Sequence, residues 1–459
     1  MGYKGNARVS KASPARKAAL EVGSAVRIRN AYAQELIAKH VDGSTLSPED
    51  RAFATKLALG VASSAGTLDE VIDRCLKSPK DIKPDVRDAL RVSTYEIIFL
   101  EKSPHAAVDQ GVELVRSVAP KAAGLANAVL RKIVAAKDAF PFGDPRTDLA
   151  ALARSFAFPL WLAERLVRDL GPEAARAFME ASNEPAPVFV AVNSLKASDE
   201  AILEAFSREG AKLSPISLKD RTIPGCYRLA DAKVLSAKPI EQLFREGKIL
   251  VSDAASQAVA LGMLPESGRP GSFLEIGAGR ATKTILLQSD AKRLCKRQLD
   301  LCTLDNHEFK TKLLEERAKR YGVKVERAYT GDATELAHVV GERAFDTVFI
   351  DAPCSGLGTL RRHPEIRWRL TEADIDVLAD TSLSMLEAAA AQVSAGGTLG
   401  FATCTVLRQE NEEVVKRFLA SDEGAAFALD TIFGERIFST RLSPRSSDAH
   451  FAVRMVRTR

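Results

Sequence analysis

The chain has 459 residues, 46% hydrophobic and 27% charged, with a formal net charge of +5. That length suits about three domains, and the composition is that of an ordinary globular protein rather than a disordered or fibrous one. No run approaches ~18 consecutive apolar residues, and the six cysteines and six histidines form no C-x-x-C or H-E-x-x-H pattern. A membrane span, a disulfide framework and a metal site are therefore not expected, and the cytoplasm is the expected location.

Residues 1–30 carry seven Lys or Arg and one Glu. They read either as a solvated tail or as a tail that contacts RNA phosphates. Residues 13–137 read as all-helical. Ser13–Pro14 and Ser47–Pro48 are N-cap signals with Pro at the first helical position. Phe53, Leu57 and Val61 fall at helical spacing. Two further helices break at Ser103–Pro104, and KAAGLANAVLRKIVAA closes the set. Residues 138–183 read as a connector with two short amphipathic helices. Residues 184–250 mix strands and a helix as a small α+β unit.

From about residue 252 strands and helices alternate. GSFLEIGAG, QLDLCTLDN, KVERAYTGDAT, FDTVFIDAPC and TLGFATCT read as strands. HEFKTKLLEERAKRYG reads as a helix capped by Gly322, and TEADIDVLADTSLSMLEAAAAQVSAGG as a long helix stopped by Gly-Gly. This is the pattern of a doubly wound, Rossmann-like α/β sheet covered on both faces. The expected division is a helical domain over 1–140, a connector with a small α+β segment over 141–250, and an α/β domain over 251–459.

Ligands of such a sheet bind at the carboxyl ends of its strands. Those ends carry Gly277–Gly279, Asp305, Asp332, Asp351 and Cys404. The EIGAGRA turn is only a loose match to a dinucleotide-binding fingerprint, and no phosphate-binding P-loop is present. Asp305 lies where an acidic side chain meets a ribose in nucleotide folds. A lone cysteine is usually an inert core residue. Cys354 and Cys404 stand at neighbouring strand ends, which points to covalent thiolate chemistry. Arg361, Arg362, Arg367 and Lys283 are the candidate sources of positive potential. His363 reads as a solvated loop residue or a nucleotide contact, and Trp368 as a loop anchor or a base-stacking residue.

DAPCSGLGTLRRHPEIRW and ATCTVLRQENEEV resemble the fourth and sixth motifs of the NOL/NOP/Sun family of RNA cytosine-5 methyltransferases. VSDAASQAVA resembles the motif before that family's cofactor strand, and VFVAVNSLK its upstream RNA-binding segment. The helical N-terminal region resembles the NusB fold, which points to the subgroup acting on small-subunit (16S) rRNA. The resemblance covers nearly the whole chain. It implies methyl transfer from S-adenosylmethionine to carbon 5 of a cytosine, with Cys404 as nucleophile, Cys354 assisting proton removal or product release, and Asp351 hydrogen-bonding the base, with Lys283 beside it. The cofactor set it implies is Gly277, Ala278, Gly279, Arg280, Ala281, Thr282, Lys283, Asp305, Asp332 and Asp351. The implied partner is RNA and the implied state a monomer. A non-catalytic RNA-binding or assembly factor on the same scaffold, and the same chemistry on tRNA, are the alternative readings.

Three stretches depart from the family pattern. The cofactor turn reads EIGAGRATKT, where the family usually has D-x-C-A-A-P-G-G-K-T. Arg280, Ala281 and Thr282 replace Pro-Gly-Gly, and Gly277 with Gly279 is the expected alternative route to a close backbone approach. Ala191 stands where an Arg usually precedes Val-Asn. Ala449 and His450 replace part of a C-terminal Asp-Gly-Phe-Phe and are expected to be structural.

Overall fold

The computed structural model describes residues 11–100, 103–265, 271–443 and 445–458. The chain divides into two compact units, 1–184 with 360–369, and 185–359 with 370–459.

The first unit is helical: α1 (Pro14–Arg29), α2 (Ala33–Ile37), α3 (Pro48–Cys75), α4 (Pro84–Phe99), α5 (Pro104–Val118), α6 (Ala123–Ala136), α7 (Leu149–Ser155), α8 (Leu160–Leu170) and α9 (Pro172–Ala181). The Ser-Pro signals mark three of these starts. Only the Ser47 hydroxyl acts as a side-chain cap, accepting from the Asp50 N–H at 3.1 Å. Leu57, Leu68 and Ile72 on α3 are fully buried, each adding about 2 kcal/mol by the usual transfer scale. The first ten residues of the basic N-terminal stretch lie outside the described residues. From Pro14 onward it is helix rather than tail. Arg16 forms two bonds, at 2.8 and 2.6 Å, to the buried carboxylate of Glu96, and Arg27 pairs with Asp85 and Asp88. These cations therefore hold the bundle together.

The second unit begins with β1 (Val188–Val192), α10 (Asp199–Arg208), β2 (Leu213–Leu218), β3 (Arg221–Leu229), α11 (Lys238–Arg245) and β4 (Ile249–Val251), which form an antiparallel sheet in the order β2-β3-β1-β4. It continues with α12 (Ala254–Gly262), β5 (Ser272–Ile276), α13 (Thr282–Cys295), β6 (Asp300–Asp305), α14 (Glu308–Tyr321), β7 (Arg327–Thr330), α15 (Leu336–Val340) and β8 (Phe345–Asp351). The chain then gives residues 360–369, with the short α16 (Ile366–Arg369), to the first unit. It returns with α17 (Glu372–Ala390), β9 (Val393–Thr403), α18 (Glu412–Leu419), β10 (Phe427–Asp430), β11 (Phe438–Ser439) and β12 (Phe451–Arg457).

The large sheet runs β10-β12-β9-β8-β5-β6-β7, with β11 beside β12. The strands from β9 to β7 are parallel, while β12 and β10 add an antiparallel edge. Alternate residues point to opposite faces. Phe273 and Phe349 pack with Val259, Ile285 and Leu314 of α12–α14. Leu274, Val348 and Ile350 pack with Leu386, Val414 and Phe418 of α17 and α18. The doubly wound sheet is thus covered on both faces. The Gly-Gly stop is corrected. Helix α17 ends at Ala390, and Gly396 and Gly397 lie inside β9, where Gly396 has φ +73° close to a register shift against β8. Glycine marks a strand irregularity here rather than a helix cap.

Residues 360–369 settle the reading of Trp368. Its indole N–H donates to the Ser63 carbonyl at 2.8 Å, and a Cβ on Gly66 would lie 2.3 Å from the ring. The fully buried guanidinium of Arg367 donates to the Phe156, Ala157 and Ser182 carbonyls and the Asn183 side chain, and lies 4.2 Å over the Phe158 ring. Burial pushes its pKa down to about 9. Arg361 donates to the Ala181 carbonyl, and His363 lies 4.4 Å from the Tyr32 ring. Trp368 is a loop anchor, and Arg361 and Arg367 are spent on the helical unit. We expect Trp368→Ala to lower the unfolding free energy by about 3 kcal/mol, read as a loss of midpoint in urea melts.

Candidate active site

Strand β5 ends at Ile276 and the chain turns sharply. Gly277 has φ +80°, and a Cβ there would sit 2.3 Å from the Asp351 carbonyl oxygen. Its N–H and that of Ala278 both donate to the Leu304 carbonyl. Gly279 has φ +53° and donates its N–H to the Asp305 carboxylate at 3.0 Å. Ala281, buried, has φ +62° and opens α13. Residues 277, 279 and 281 alternate in the left-handed region, which curls the backbone into a nest at a helix N-terminus. The Arg280 carbonyl accepts from Arg317, and Thr282 is the first residue of α13.

Asp305 is nearly buried and anchored. It accepts from the His307 N–H as well as from Gly279, and Lys310 lies 3.3 Å away. Asp332 is exposed and caps its own turn, accepting from the Thr334 N–H and hydroxyl. Those two bonds hold its carboxyl below the ordinary range. The backbone bond from Gly331 N–H to the Asp305 carbonyl sets it beside that strand end.

The other half of the site lies at the ends of β8 and β9. The Lys283 ammonium donates to Asp351 at 2.7 Å. Burial alone would lower the Lys283 pKa, but the facing Asp351 charge, with help from Cys404 and Glu275, raises it. The Cys354 and Cys404 sulfurs are 3.4 Å apart, and the Cys404 N–H donates to the Cys354 sulfur at 3.3 Å. The bond to Cys404, burial and nearby negative groups hold Cys354 well above the ordinary thiol range. Gly358 is pinned between two strands. Its N–H donates to the Cys404 carbonyl and its carbonyl accepts from Ala449, and a Cβ there would lie 2.0 Å from the Ala449 oxygen.

The structure thus brings Gly277, Ala278, Gly279, Lys283, Asp305, Asp351, Cys354 and Cys404 to one end of the sheet. Asp332 stands at its margin, engaged with Thr334. Of the expected cations, Lys283 is at the thiols, whereas Arg361 and Arg367 belong to the helical unit. Ala191 is a buried core residue of β1, and the neighbouring Asn193 amide donates to the Gly247 and Tyr321 carbonyls, so this stretch has a packing role.

Sequence reasoning missed three buried groups. Glu275, two residues before Gly277, is fully buried with the Thr284 hydroxyl near it but outside ordinary hydrogen-bond geometry, and burial, eased by Thr284 and reinforced by the Asp351 charge, pushes it up to about 8. His450 is buried with Nδ1 unpartnered. Burial and then the Lys283 cation push it down to about 4, so the imidazole beside that pair is neutral. Glu410 bridges the two cysteine loops. An acidic residue inside an apolar strand was the one visible signal for Glu275. His450 was visible only as a departure expected to be structural, and nothing in spacing marked Glu410.

A doubly wound sheet with a glycine nest after its first strand, an acid at the end of its second and paired thiols beyond defines a class I methyltransferase arrangement. The comparisons agree. Residues 267–442 match the family described as 16S rRNA methyltransferase RsmB/F, residues 13–135 the NusB family, and residues 158–223 the ferredoxin-like domain of RsmF/B-like methyltransferases. The ribosomal RNA small subunit methyltransferase B of Escherichia coli O6:K15:H31 (strain 536 / UPEC) is 30% identical over 376 residues, covering 82% of this chain and 83% of that protein. The probable ribosomal RNA small subunit methyltransferase B of Bacillus subtilis (strain 168) is 29% identical over 412 residues, covering 89% of each. The crystal structure of PH0851 superimposes with a TM-score of 0.76 over 97% of this chain and 99% of that one, at 24% identity. The chain belongs to the RsmB/F family, and it is an RNA methyltransferase.

The methyl donor of this class is S-adenosylmethionine. The residues present fit it. Asp305 is nearly buried and fixed at the end of the second strand, where an acidic side chain would meet ribose hydroxyls, and the buried Glu275 carboxyl lies next to the glycine turn that would face the methionine end. The altered turn keeps this geometry at a cost, because Ala281 holds a left-handed conformation that favours glycine. Ala281→Gly is expected to raise the unfolding free energy by about 1 kcal/mol, measured by urea unfolding.

Glu275 gives a pH signature. Its folded pKa, about 8, lies above the 4.5 of an ordinary glutamate. Its contribution is therefore fully present below the unfolded value and is lost as pH rises through the folded one. Between about pH 4.5 and 8 the wild type is expected to lose stability relative to Glu275→Gln, and parallel unfolding curves for the two across that range would refute this.

Proposed function

We propose that the protein methylates carbon 5 of a cytosine in small-subunit rRNA through a covalent adduct at Cys404. The observation that carries this reading is the pair of sulfurs 3.4 Å apart beside the Lys283–Asp351 ion pair. Carbon 5 of cytosine is a weak nucleophile. A Cys404 thiolate adding at carbon 6 forms a C–S bond and pushes electron density onto carbon 5. The Asp351 carboxylate, which accepts from Lys283, hydrogen-bonds the base beside N3 by accepting from its 4-amino group, and the Lys283 cation offsets the negative charge that builds on the ring. Bound S-adenosylmethionine supplies the methyl group. Loss of the carbon-5 proton to a water base then restores the ring double bond and breaks the C–S bond, and Cys354, its sulfur 3.4 Å from that of Cys404, assists release of the Cys404 thiolate. A base inside a duplex is out of reach, so the cytosine must be unpaired or flipped.

Cofactor contacts are assigned to the 277–283 turn, Asp305, Asp332 and Asp351. The division into a NusB-like RNA-binding domain over 1–140, a connector with a small RNA-binding segment over 141–250, and a catalytic domain over 251–459 supports the same reading, with the protein acting as a cytoplasmic monomer. Both matched relatives named above are small-subunit rRNA methyltransferases, which favours that RNA over tRNA.

The test is transfer of labelled methyl to unmodified 16S rRNA, with tRNA in parallel and the product nucleoside identified by mass spectrometry. Cys404→Ala is expected to lower transfer at least about 10³-fold. Cys354→Ala is expected to accumulate a covalent protein–RNA band. Full activity in Cys404→Ala, or a product other than 5-methylcytidine, overturns the assignment.

A further inference from the structure

Each reactive cysteine is followed by a hydroxyl residue, Ser355 after Cys354 and Thr405 after Cys404. One buried carboxylate, that of Glu410, takes both. It accepts from the Ser355 N–H at 2.6 Å, from the Ser355 hydroxyl at 2.6 Å and from the Thr405 hydroxyl at 3.0 Å. The two hydroxyls are themselves 2.7 Å apart. Asn411, the next residue, binds the other side of the Cys404 loop. Its amide donates to the Thr405 carbonyl and its oxygen accepts from the Thr403 hydroxyl. Glu410 is only 1% exposed, so these bonds are sheltered from competing water and each is worth more than a surface bond.

The two thiols sit on separate loops 50 residues apart. β8 and β9 align the loop stems, but both cysteines lie beyond the paired residues. The Glu410 side chain bonds to both loops.

We propose that Glu410 is a positioning residue that locks the two cysteine loops together and makes the thiols unequal, so that Cys404 adds to the base and Cys354 does not. Its negative charge acts in the same sense as its hydrogen bonds. It is one of the groups, after the bond to Cys404 and burial, that keep the proton on Cys354. The inference rests on the assignment of Cys404 as nucleophile.

The labelling part of the test uses the full chain with no RNA or cofactor, and methyl transfer is measured separately with both. Iodoacetamide labelling of Cys354 and Cys404 is followed by peptide mass spectrometry across pH, for wild type, Glu410→Gln and Glu410→Ala, with a thermal melt of each. The wild type is expected to label faster at Cys404. In Glu410→Gln, which keeps the shape and loses the charge, the Cys354 labelling midpoint is expected to fall by about 0.5 to 1 pH unit. In Glu410→Ala the Cys404-over-Cys354 preference is expected to shrink about tenfold or more. Methyl transfer is expected to lose kcat with KM for RNA within about twofold. Unchanged Cys354 labelling in a natively melting Glu410→Gln protein overturns the proposal, and that variant decides if Glu410→Ala does not fold. Should Cys404 prove not to be the nucleophile, its alanine variant would stay active while the labelling readout stood unchanged, so the two failures are separable.

Discussion

The register between β8 and β9 is the constraint on which the site depends. Ile350 faces Phe401 and Asp351 faces Ala402 in a parallel pair, and this places the next residues of both strands side by side. A slip of one residue would turn every side chain on the moved strand to the opposite face. Asp351 would then lose Lys283, and the Cys354 and Cys404 loops would no longer start level. The register is held from outside the site. Ile350 packs on one face of the sheet and Phe349 on the other, both fully buried, and β12 extends the pairing on the far side of β9. Two apolar cores therefore fix the position of two polar thiols.

The site is also where the fold gives up stability. Glu275 and His450 are buried and Lys283 half-buried around one turn, and the Thr284 hydroxyl offsets the desolvation of Glu275 only in part. Ala281 adds backbone strain. A fold selected for stability alone would replace this cluster with packed aliphatic side chains. Backbone strain and buried ionisable groups beside the strand end that gathers the thiols form the pattern expected where a ligand completes the environment. His450 shows how local the tuning is. It stands in place of a family phenylalanine and puts a neutral ring nitrogen, rather than a hydrocarbon, near the Lys283–Asp351 pair.

The strand ends were legible in the sequence because their signal is local. An apolar run followed by Gly, Asp or Cys needs no tertiary knowledge, and the Gly277, Asp305, Asp351 and Cys404 positions follow from it. The Ser-Pro helix starts were legible for the same reason. The failures share the opposite property. Gly396–Gly397 read as a helix stop because two glycines after a helical period fit a cap, and only pairing with β8 makes them strand. Arg361 and Arg367 read as charge for the thiols because they are close in sequence, yet their guanidinium groups are consumed by carbonyls of the helical unit. Glu410 was invisible because its meaning lies in two bonds to Ser355 across 55 residues of chain.

The chain between the Cys354 loop and that buried segment sets a further requirement. Leu360, six residues after Cys354, is the first residue of the stretch held in the helical unit, and six residues reach at most about 20 Å. Any motion of that stretch would pull on the thiol loop unless something between them resisted. Gly358 is placed to resist. Its N–H and carbonyl are bonded to Cys404 and Ala449, and it sits so close to both that no side chain would fit. With Ser355 fastened to Glu410 on one side and Gly358 fastened between β9 and the lead-in to β12 on the other, Cys354 is clamped at both flanks. The distance between the sulfurs is therefore set inside the catalytic unit, however the chain beyond Thr359 is loaded.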